Sequence, residues 1–171
     1  MTQAARPLIQ GSAGLVIMGG QESCSPIISQ LIDAARRQAV PVIFAISPTV
    51  GHDPALALAP DDAVIRPRRC SVFYGTDLSI LARERAIQTL ILAGGITSVG
   101  VHYSFVDAHQ NDFFCRVVED SMSGSSPAAH DAALRAMEYM QTGARRSSQA
   151  VLAALAAVGI RARTRGAEGT P

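Results

Sequence analysis

Short runs of apolar residues alternate along this chain with stretches in which apolar residues recur at helical spacing. A continuous apolar run is typical of a strand that is buried on both faces, and recurrence every three or four residues is typical of an amphipathic helix. The predicted strands cover 13–18, 41–46, 63–66, 114–118 and 144–147, with a further strand that begins at Thr89. The predicted helices cover 26–38, 76–86, 127–141 and 148–158, with a further helix that runs from Thr97 or Ser98, as its cap, through Ala108.

The alternation of strands and helices predicts an α/β fold, because a strand followed by a helix leads back to a parallel neighbouring strand. We expect a three-layer α/β/α sandwich with a six-stranded, mainly parallel sheet. A single domain should cover residues 13–160, since no internal repeat or second domain is evident. Residues 1–12 are predicted to be a flexible arm. Gly159 is predicted to end the last helix, with a flexible tail over 161–171.

The central feature of the pattern is the stretch from Thr89 to Val101, in which an apolar run meets Gly94 and Gly95 and is followed by a helical pattern. In an open parallel sheet, this strand–turn–helix corner lies at the carboxyl end of the strand, where such folds bind ligands. The start of a helix also offers free N–H groups and a partial positive charge. An oxyanion or a carboxylate is therefore the expected ligand type.

Composition narrows the class of partner. The formal net charge is +1, which does not favour nucleic acid or a membrane surface as a partner. All 15 basic residues are arginines, so the chain contains no lysine. Three widely spaced cysteines, Cys24, Cys70 and Cys115, argue against a disulfide framework and against structural zinc. No apolar leader or membrane span is evident, and we expect a cytoplasmic protein.

Three blocks of this sequence resemble the isochorismatase-like family, which includes nicotinamidases and N-carbamoylsarcosine amidohydrolases. The first is Leu-Val-Ile-Met-Gly-Gly-Gln at 15–21, and the most specific is Ser-Val-Phe-Tyr-Gly-Thr-Asp-Leu at 71–78. The third is the Gly-x-x-Thr turn at 94–97, which in the family is followed three residues later by a cysteine. His130 also matches a common family position. The resemblance covers most of the chain, about residues 14–155, and implies the same α/β/α fold.

The resemblance also implies an active site that lacks its usual side chains. The family's triad is an aspartate that takes a proton, a lysine that holds the charges, and a thiolate that attacks a carbonyl. These positions correspond to Gly19, Pro67 and Gly100 in this sequence. Covalent amide hydrolysis by the usual route is therefore not expected. Isochorismatases proper often carry glycine at the cysteine position, but they retain the aspartate that is replaced here by Gly19.

The candidate substrate-binding residues line the corner or flank the position of the missing lysine. Any of the three clustered arginines could hold a carboxylate, although a solvated strand end is the simpler interpretation. Cys24 is a weak candidate for a relocated nucleophile, and an inert small residue at a helix start is the simpler interpretation. The predicted substrate-binding set is Gln21, Arg66, Arg68, Arg69, Gly95, Ile96, Thr97 and Gly100.

No cofactor and no metal are predicted. His102, His109 and Asp112 match no metal-ligand motif well, and an interface or a solvent-exposed face explains them better. His52 and Asp53 lack the Asp-x-His pattern that nicotinamidases use for a metal. Cys70 and Cys115 are interpreted as packing residues.

Two functions remain open at this point. The first is a divergent small-molecule enzyme that acts on an anionic or carbonyl substrate without the usual cysteine nucleophile. The second is a catalytically inactive relative that serves as a binding or assembly subunit, since a fold does not fix a function. The resemblance further implies a homodimer or homotetramer, and a small-molecule ligand is the expected partner.

Overall fold

Six parallel strands form a single sheet in the order β3-β2-β1-β4-β5-β6. A computed structural model of the chain describes residues 7–19, 26–48 and 58–167, with side chains of the last helix described as far as residue 158. The strands are β1 (Ser12–Met18), β2 (Val42–Ala45), β3 (Ala63–Ile65), β4 (Ile87–Gly94), β5 (Phe114–Val118) and β6 (Arg145–Arg146). The predicted six-stranded parallel sheet is confirmed, and the switch in strand order lies between β1 and β4.

In the described part of the chain, five α-helices cover the two faces of the sheet. They are α1 (Pro26–Arg37), α2 (Leu78–Glu84), α3 (His102–Gln110), α4 (Pro127–Met140) and α5 (Ser148–Ala167). A five-residue π-helical turn, Thr97–Val101, leads directly into α3, and a 3-10 turn, Glu119–Ser121, follows β5. The predicted three-layer α/β/α arrangement is confirmed, with α1 and α5 on one face and α2, α3 and α4 on the other.

The core consists of two apolar layers, because side chains along each strand alternate between the faces of the sheet. In β1, Val16 packs into the layer beneath α2, α3 and α4, whereas Leu15 and Ile17 pack against α1 and α5. All three are almost completely buried. Burial on both faces explains why β1 and β4 are continuous apolar runs in the sequence.

The segment ahead of β1, which we predict to be a flexible arm over residues 1–12, makes packing contacts over its described part. Ile9 is buried. The Gln10 N–H donates to the Thr89 hydroxyl at 2.9 Å, and this hydroxyl donates back to the Gln10 carbonyl oxygen at 2.7 Å. The carbonyl oxygen of Leu8 also accepts a hydrogen bond from the buried guanidinium of Arg116 at 3.0 Å.

The last helix continues through Gly159 to Ala167. The predicted helix end at Gly159 is therefore wrong, and the predicted tail over 161–171 is helical as far as residue 167. A glycine inside a helix costs about 1 kcal/mol relative to alanine, and the alanines and arginines around it favour helix strongly. Within the described residues, no helix combines the length and the apolar character needed to cross a bilayer.

Candidate functional site

Three chain segments that are far apart in sequence meet at Gly100. A Cβ atom built on Gly100 would lie 3.4 Å from the carbonyl oxygen of Cys70 and 3.5 Å from the terminal methyl of Met18. Met18 ends β1, Cys70 lies in the loop after β3, and Gly100 lies in the π-helical turn after β4. The structure thus brings the three sequence blocks together at the carboxyl end of the sheet.

Ser104 joins two of these segments. Its hydroxyl donates to the carbonyl oxygen of Gly100 at 2.6 Å and accepts from the N–H of Val72 at 3.0 Å. The side chain is fully buried in α3. Ser104 therefore fixes the distance between the π-helical turn and the loop that follows β3.

The backbone of the corner requires glycine at two consecutive positions. Gly94 and Gly95 have φ angles of +78° and +79°, a conformation that residues with a side chain rarely adopt. A Cβ on Gly94 would lie only 2.4 Å from the carbonyl oxygen of Met18, and one on Gly95 would lie 3.2 Å from the Cβ of Met18. These two glycines let β4 turn sharply against the end of β1, which places Gly100 beside Met18.

The π-helical turn leaves some of its backbone donors unused. Its cap residue is Ile96, and no side-chain cap is formed, so the predicted capping by Thr97 or Ser98 is wrong. The Thr97 N–H donates to the Ser123 carbonyl oxygen, and the N–H groups of Val99 and Val101 donate to the Ile96 carbonyl oxygen. The Ser98 N–H has no carbonyl within the turn to bond to, as is usual at a helix start.

The three positions that the resemblance assigns to the triad differ in their surroundings. Gly19 is exposed and follows β1 with a φ of +104°, Pro67 is buried, and Gly100 is half-buried. None of these residues carries a carboxylate, an amine or a thiol. What the corner offers is backbone N–H groups next to the start of a helix, which can hold an anion or a polarised carbonyl oxygen.

The other predicted binding residues are only partly gathered at the corner. Gly95 is half-buried, Ile96 is 45% exposed, and Thr97 is fully buried beneath the turn. The side chains of Arg66, Arg68 and Arg69 are exposed, and none of them forms an ion pair with another described residue. The aliphatic part of Arg68 packs against Gly75, within 3.2 Å of where a Cβ would be. Gln21 and Cys24 lie outside the described residues.

The two described cysteines occupy opposite environments. Cys115 is completely buried in β5, as expected for a packing residue, and this burial raises the pKa of its thiol despite the neighbouring positive charge of Arg116. Cys70 is exposed, so its interpretation as a packing residue is wrong. An exposed thiol here stands on a loop whose backbone contacts Gly100.

Histidines and acidic residues are dispersed rather than clustered. In the described part of the chain, no group of three or more His, Cys, Asp or Glu residues is placed to hold a metal ion. Gln141 contacts the His109 Nδ1 atom through its Nε2 at 3.0 Å, which links α3 to the end of α4. His52 and Asp53 lie outside the described residues, and the absence of a metal and of a cofactor stays a prediction.

A loop between β5 and α4, residues 121–126, supports the corner from the side opposite β1. The Gly94 N–H donates to the Ser121 hydroxyl at 3.2 Å, and the Ser123 N–H donates to the Gly95 carbonyl oxygen at 3.2 Å. The hydroxyls of Ser98 and Ser125 lie 3.3 Å apart. Sequence reasoning missed this loop, although its serine-rich run, Ser-Met-Ser-Gly-Ser-Ser, is a sign of side chains that bond to backbone.

The chain is similar to several known proteins. It is 33% identical over 104 residues to isochorismatase family protein YecD of Escherichia coli O157:H7, covering 61% of this chain and 55% of that protein. It is 38% identical over 79 residues to phenazine biosynthesis protein PhzD1 of Pseudomonas aeruginosa, covering 46% of this chain and 38% of that protein. The matched stretches thus span about half or less of these curated relatives.

The fold is shared with solved structures over a greater length. The crystal structure of a cysteine hydrolase from Pseudomonas syringae pv. phaseolicola superposes with a TM-score of 0.77, at 18% identity, over 90% of this chain and 99% of that chain. Residues 12–150 match the family model of the isochorismatase domain, which is most of the chain. On this match the chain belongs to the isochorismatase family.

Proposed function

We propose that this protein is a small-molecule enzyme that acts on an anionic or carbonyl substrate without a covalent thiol intermediate. The observation that supports this most directly is the geometry at Gly100. The residue carries no nucleophile, and a Cβ there would meet its neighbours at 3.4 and 3.5 Å. The backbone that precedes it nevertheless turns sharply at Gly94 and Gly95, at the carboxyl end of the sheet where such folds bind ligands.

The backbone conformation of the corner also supports the proposal. The two glycines with positive φ lead into a π-helical turn, and single π-helical turns occur frequently at functional sites. The Ser98 N–H, which has no carbonyl within the turn to bond to, supports a ligand bearing a carboxylate or a carbonyl oxygen.

The names of the relatives suggest where to begin the search for a substrate. One relative is an isochorismatase family protein and another is named for phenazine biosynthesis. We therefore propose a cyclic carboxylate as the first substrate class to test, with small carboxylic amides as the second. The expected working form is a homodimer or homotetramer in the cytoplasm, which light scattering of the purified protein would test.

Turnover and intact mass, measured together, test the proposal. The protein is incubated with isochorismate, chorismate, nicotinamide and small N-carbamoyl amino acids, and product is followed by chromatography. The proposal expects turnover of at least one compound, with no mass adduct on the quenched protein. Prior alkylation of accessible thiols by iodoacetamide should leave that turnover in place. A trapped acyl adduct on a cysteine, or activity abolished by alkylation, contradicts the absence of a thiol intermediate.

A second candidate function is a catalytically inactive binding or assembly subunit. Exposed apolar side chains near the corner favour it: Tyr74 is 57% exposed, Tyr103 is 58% exposed and Val99 is 38% exposed. A surface of this kind is suited to a protein partner. Absence of turnover, combined with a loss of self-association when Tyr74 and Tyr103 are both changed to Ser, would favour this alternative over the enzyme.

A further inference from the structure

The hydroxyl of Thr97 has two polar neighbours but only one proton to donate. Its Oγ1 atom lies 3.1 Å from the carbonyl oxygen of Ser123 and 2.8 Å from Nδ1 of His130. The side chain of Thr97 is fully buried, so no water competes for these contacts. The position of the protons therefore follows from what each neighbour can do.

A carbonyl oxygen accepts hydrogen bonds and never donates them. If the Thr97 hydroxyl donates to Ser123, its contact with His130 is a hydrogen bond only when Nδ1 carries a proton and donates. The opposite assignment would leave the Thr97–Ser123 pair as two acceptors facing each other at 3.1 Å. Satisfying both contacts therefore requires His130 with its proton on Nδ1, which leaves Nε2 bare in the neutral ring.

The loop that carries Ser123 packs tightly against His130. The N–H of His130 donates to the carbonyl oxygen of Ser126 at 2.9 Å. A Cβ on Gly124 would lie 2.6 Å from the Cβ of His130, so only glycine allows the loop to come this close. The histidine is thus held against the loop by its backbone while its ring contacts the turn.

Further hydrogen bonds connect this contact to the corner itself. The Thr97 N–H also donates to the Ser123 carbonyl oxygen, at 2.8 Å, and the Ser123 N–H donates to the Gly95 carbonyl oxygen at 3.2 Å. Thr97 is the first residue of the turn and Gly95 precedes the turn, so both lie next to the Ser98 N–H. A change at His130 therefore reaches the turn through Thr97 and Ser123.

We infer that His130, in its Nδ1–H form, is a positioning residue for the binding corner. It does not touch the ligand. It donates to Thr97, which directs the Thr97 hydroxyl to Ser123 and holds the turn so that the N–H groups of Ser98 and Gly100 keep a fixed orientation. This inference rests on the proposed function of the corner as a ligand site.

The tautomer of His130 tests the inference on the unmodified protein. In ¹⁵N-labelled protein at mildly alkaline pH, long-range ¹H–¹⁵N spectra separate a protonated ring nitrogen from a bare one. His130 should show a protonated Nδ1 and a bare Nε2. A His130 signal with Nε2 protonated and Nδ1 bare overturns the inference.

His109 is an internal control that should show the opposite tautomer. Gln141 accepts from the Cys115 N–H through Oε1 at 2.9 Å and donates to the Phe113 carbonyl oxygen through Nε2 at 3.0 Å. These bonds fix the amide orientation, so the contact from Nε2 to the His109 Nδ1 is donated by Gln141. The imidazole proton of His109 must then reside on Nε2. The two histidines can therefore be compared in the same spectrum.

Two variants test the consequence for the corner. His130→Asn places an amide nitrogen near the former Nδ1 position and can still donate to Thr97, whereas His130→Leu cannot donate. His130→Leu should shift the backbone amide signals of Ser98 and Gly100 and speed hydrogen exchange at the Thr97 N–H several-fold. His130→Asn should keep the Ser98 and Gly100 signals and the Thr97 exchange rate close to those of the unmodified protein. Unchanged Ser98 and Gly100 signals in a folded His130→Leu protein overturn the inference.

These measurements need no ligand, so their failure is distinct from a failure of the proposed function. If the tautomer and amide shifts are as expected but no compound binds, the positioning network exists without the proposed ligand. If a compound binds at the corner while His130 has its proton on Nε2, the proposed function stands and this inference is wrong.

Discussion

Replacing Gly94 by alanine tests the geometry of the corner, with Gly100→Ala as a matched control. Both changes add one methyl group to the same turn. Gly94 has a φ of +78°, and the new Cβ would lie 2.4 Å from the backbone carbonyl oxygen of Met18, about 1 Å closer than an ordinary contact. Gly100 has no positive φ, and its new Cβ would meet its neighbours at 3.4 and 3.5 Å.

The expected cost at Gly94 has two parts. The left-handed conformation costs alanine about 1–2 kcal/mol. Overpacking against a backbone atom that cannot rotate away costs about 1–3 kcal/mol more. Alanine also reduces the conformational entropy of the unfolded chain, which offsets about 0.4–1 kcal/mol of this destabilisation. The net expectation is a loss of about 3 kcal/mol in the free energy of unfolding, whereas Gly100→Ala should change it by less than about 1 kcal/mol.

Urea unfolding followed by circular dichroism measures both variants against the unmodified protein. The midpoint should fall clearly for Gly94→Ala with an unchanged slope, because the surface exposed on unfolding is the same. For a domain of this size, 3 kcal/mol corresponds to a fall in Tm of about 6–12 °C. Equal midpoints for the two variants would refute the claim that Gly94 is held in a left-handed conformation against β1.

Three further predictions follow from single features of the fold. Near neutral pH, iodoacetamide should label Cys70 in the native protein but Cys115 only after unfolding, because burial blocks access to Cys115 and raises the pKa of its thiol. Peptide mass mapping measures the labelling of each cysteine, and equal labelling of the two in the native protein would contradict the prediction. Ser126→Ala should cost about 1 kcal/mol of stability, since the Ser126 hydroxyl caps α4 by accepting from the N–H of Ala129; an unchanged urea midpoint would contradict that capping role. Arg116→Met should lower the free energy of unfolding by about 1–3 kcal/mol, since it removes a buried donor to the Leu8 carbonyl oxygen. It should also speed hydrogen exchange at the Gln10 N–H. Unchanged exchange at Gln10 would contradict the role of Arg116 in holding the segment ahead of β1.

The sheet was predictable from the sequence because burial on both faces leaves a clear mark. The apolar run before Met18 and the one that begins near Thr89 both became central strands, within about two residues of their predicted ends. The helix after the glycine turn also follows its pattern, since Val101 and Ala108 are buried on one face. The local spacing of apolar residues therefore agrees with the burial that the whole fold imposes, with helices on both faces of the sheet.

The errors occur where distant contacts override local preference. The local pattern predicts a helix cap at Thr97 or Ser98, but the Thr97 hydroxyl bonds instead with Ser123 and His130, which are 26 and 33 residues away. Such partners leave no local signal. The segment ahead of β1 is similar, because it is held by the side chains of Thr89 and Arg116 rather than by any pattern of its own.

The candidate site was located by family resemblance more than by local chemistry. Gly100 and Pro67 are identified only by their place within motifs, since neither carries a reactive group. The structure adds that Gly100 meets Met18 and Cys70, a contact between segments more than 80 residues apart in one case. The role of the serine-rich loop depends on bonds to backbone atoms, which sequence alone does not locate.

The most direct test of the proposed binding corner is a titration followed by ¹H–¹⁵N spectra of the assigned protein. Isochorismate, chorismate, nicotinamide and simple carboxylates are added in turn. The prediction is that at least one compound shifts the backbone amide signals of Gly95, Ser98 and Gly100 in a saturable way. Saturable shifts confined to other surfaces, such as the groove beside Leu8 and Ala157 at the opposite end of the sheet, or no shifts from any compound, would contradict it.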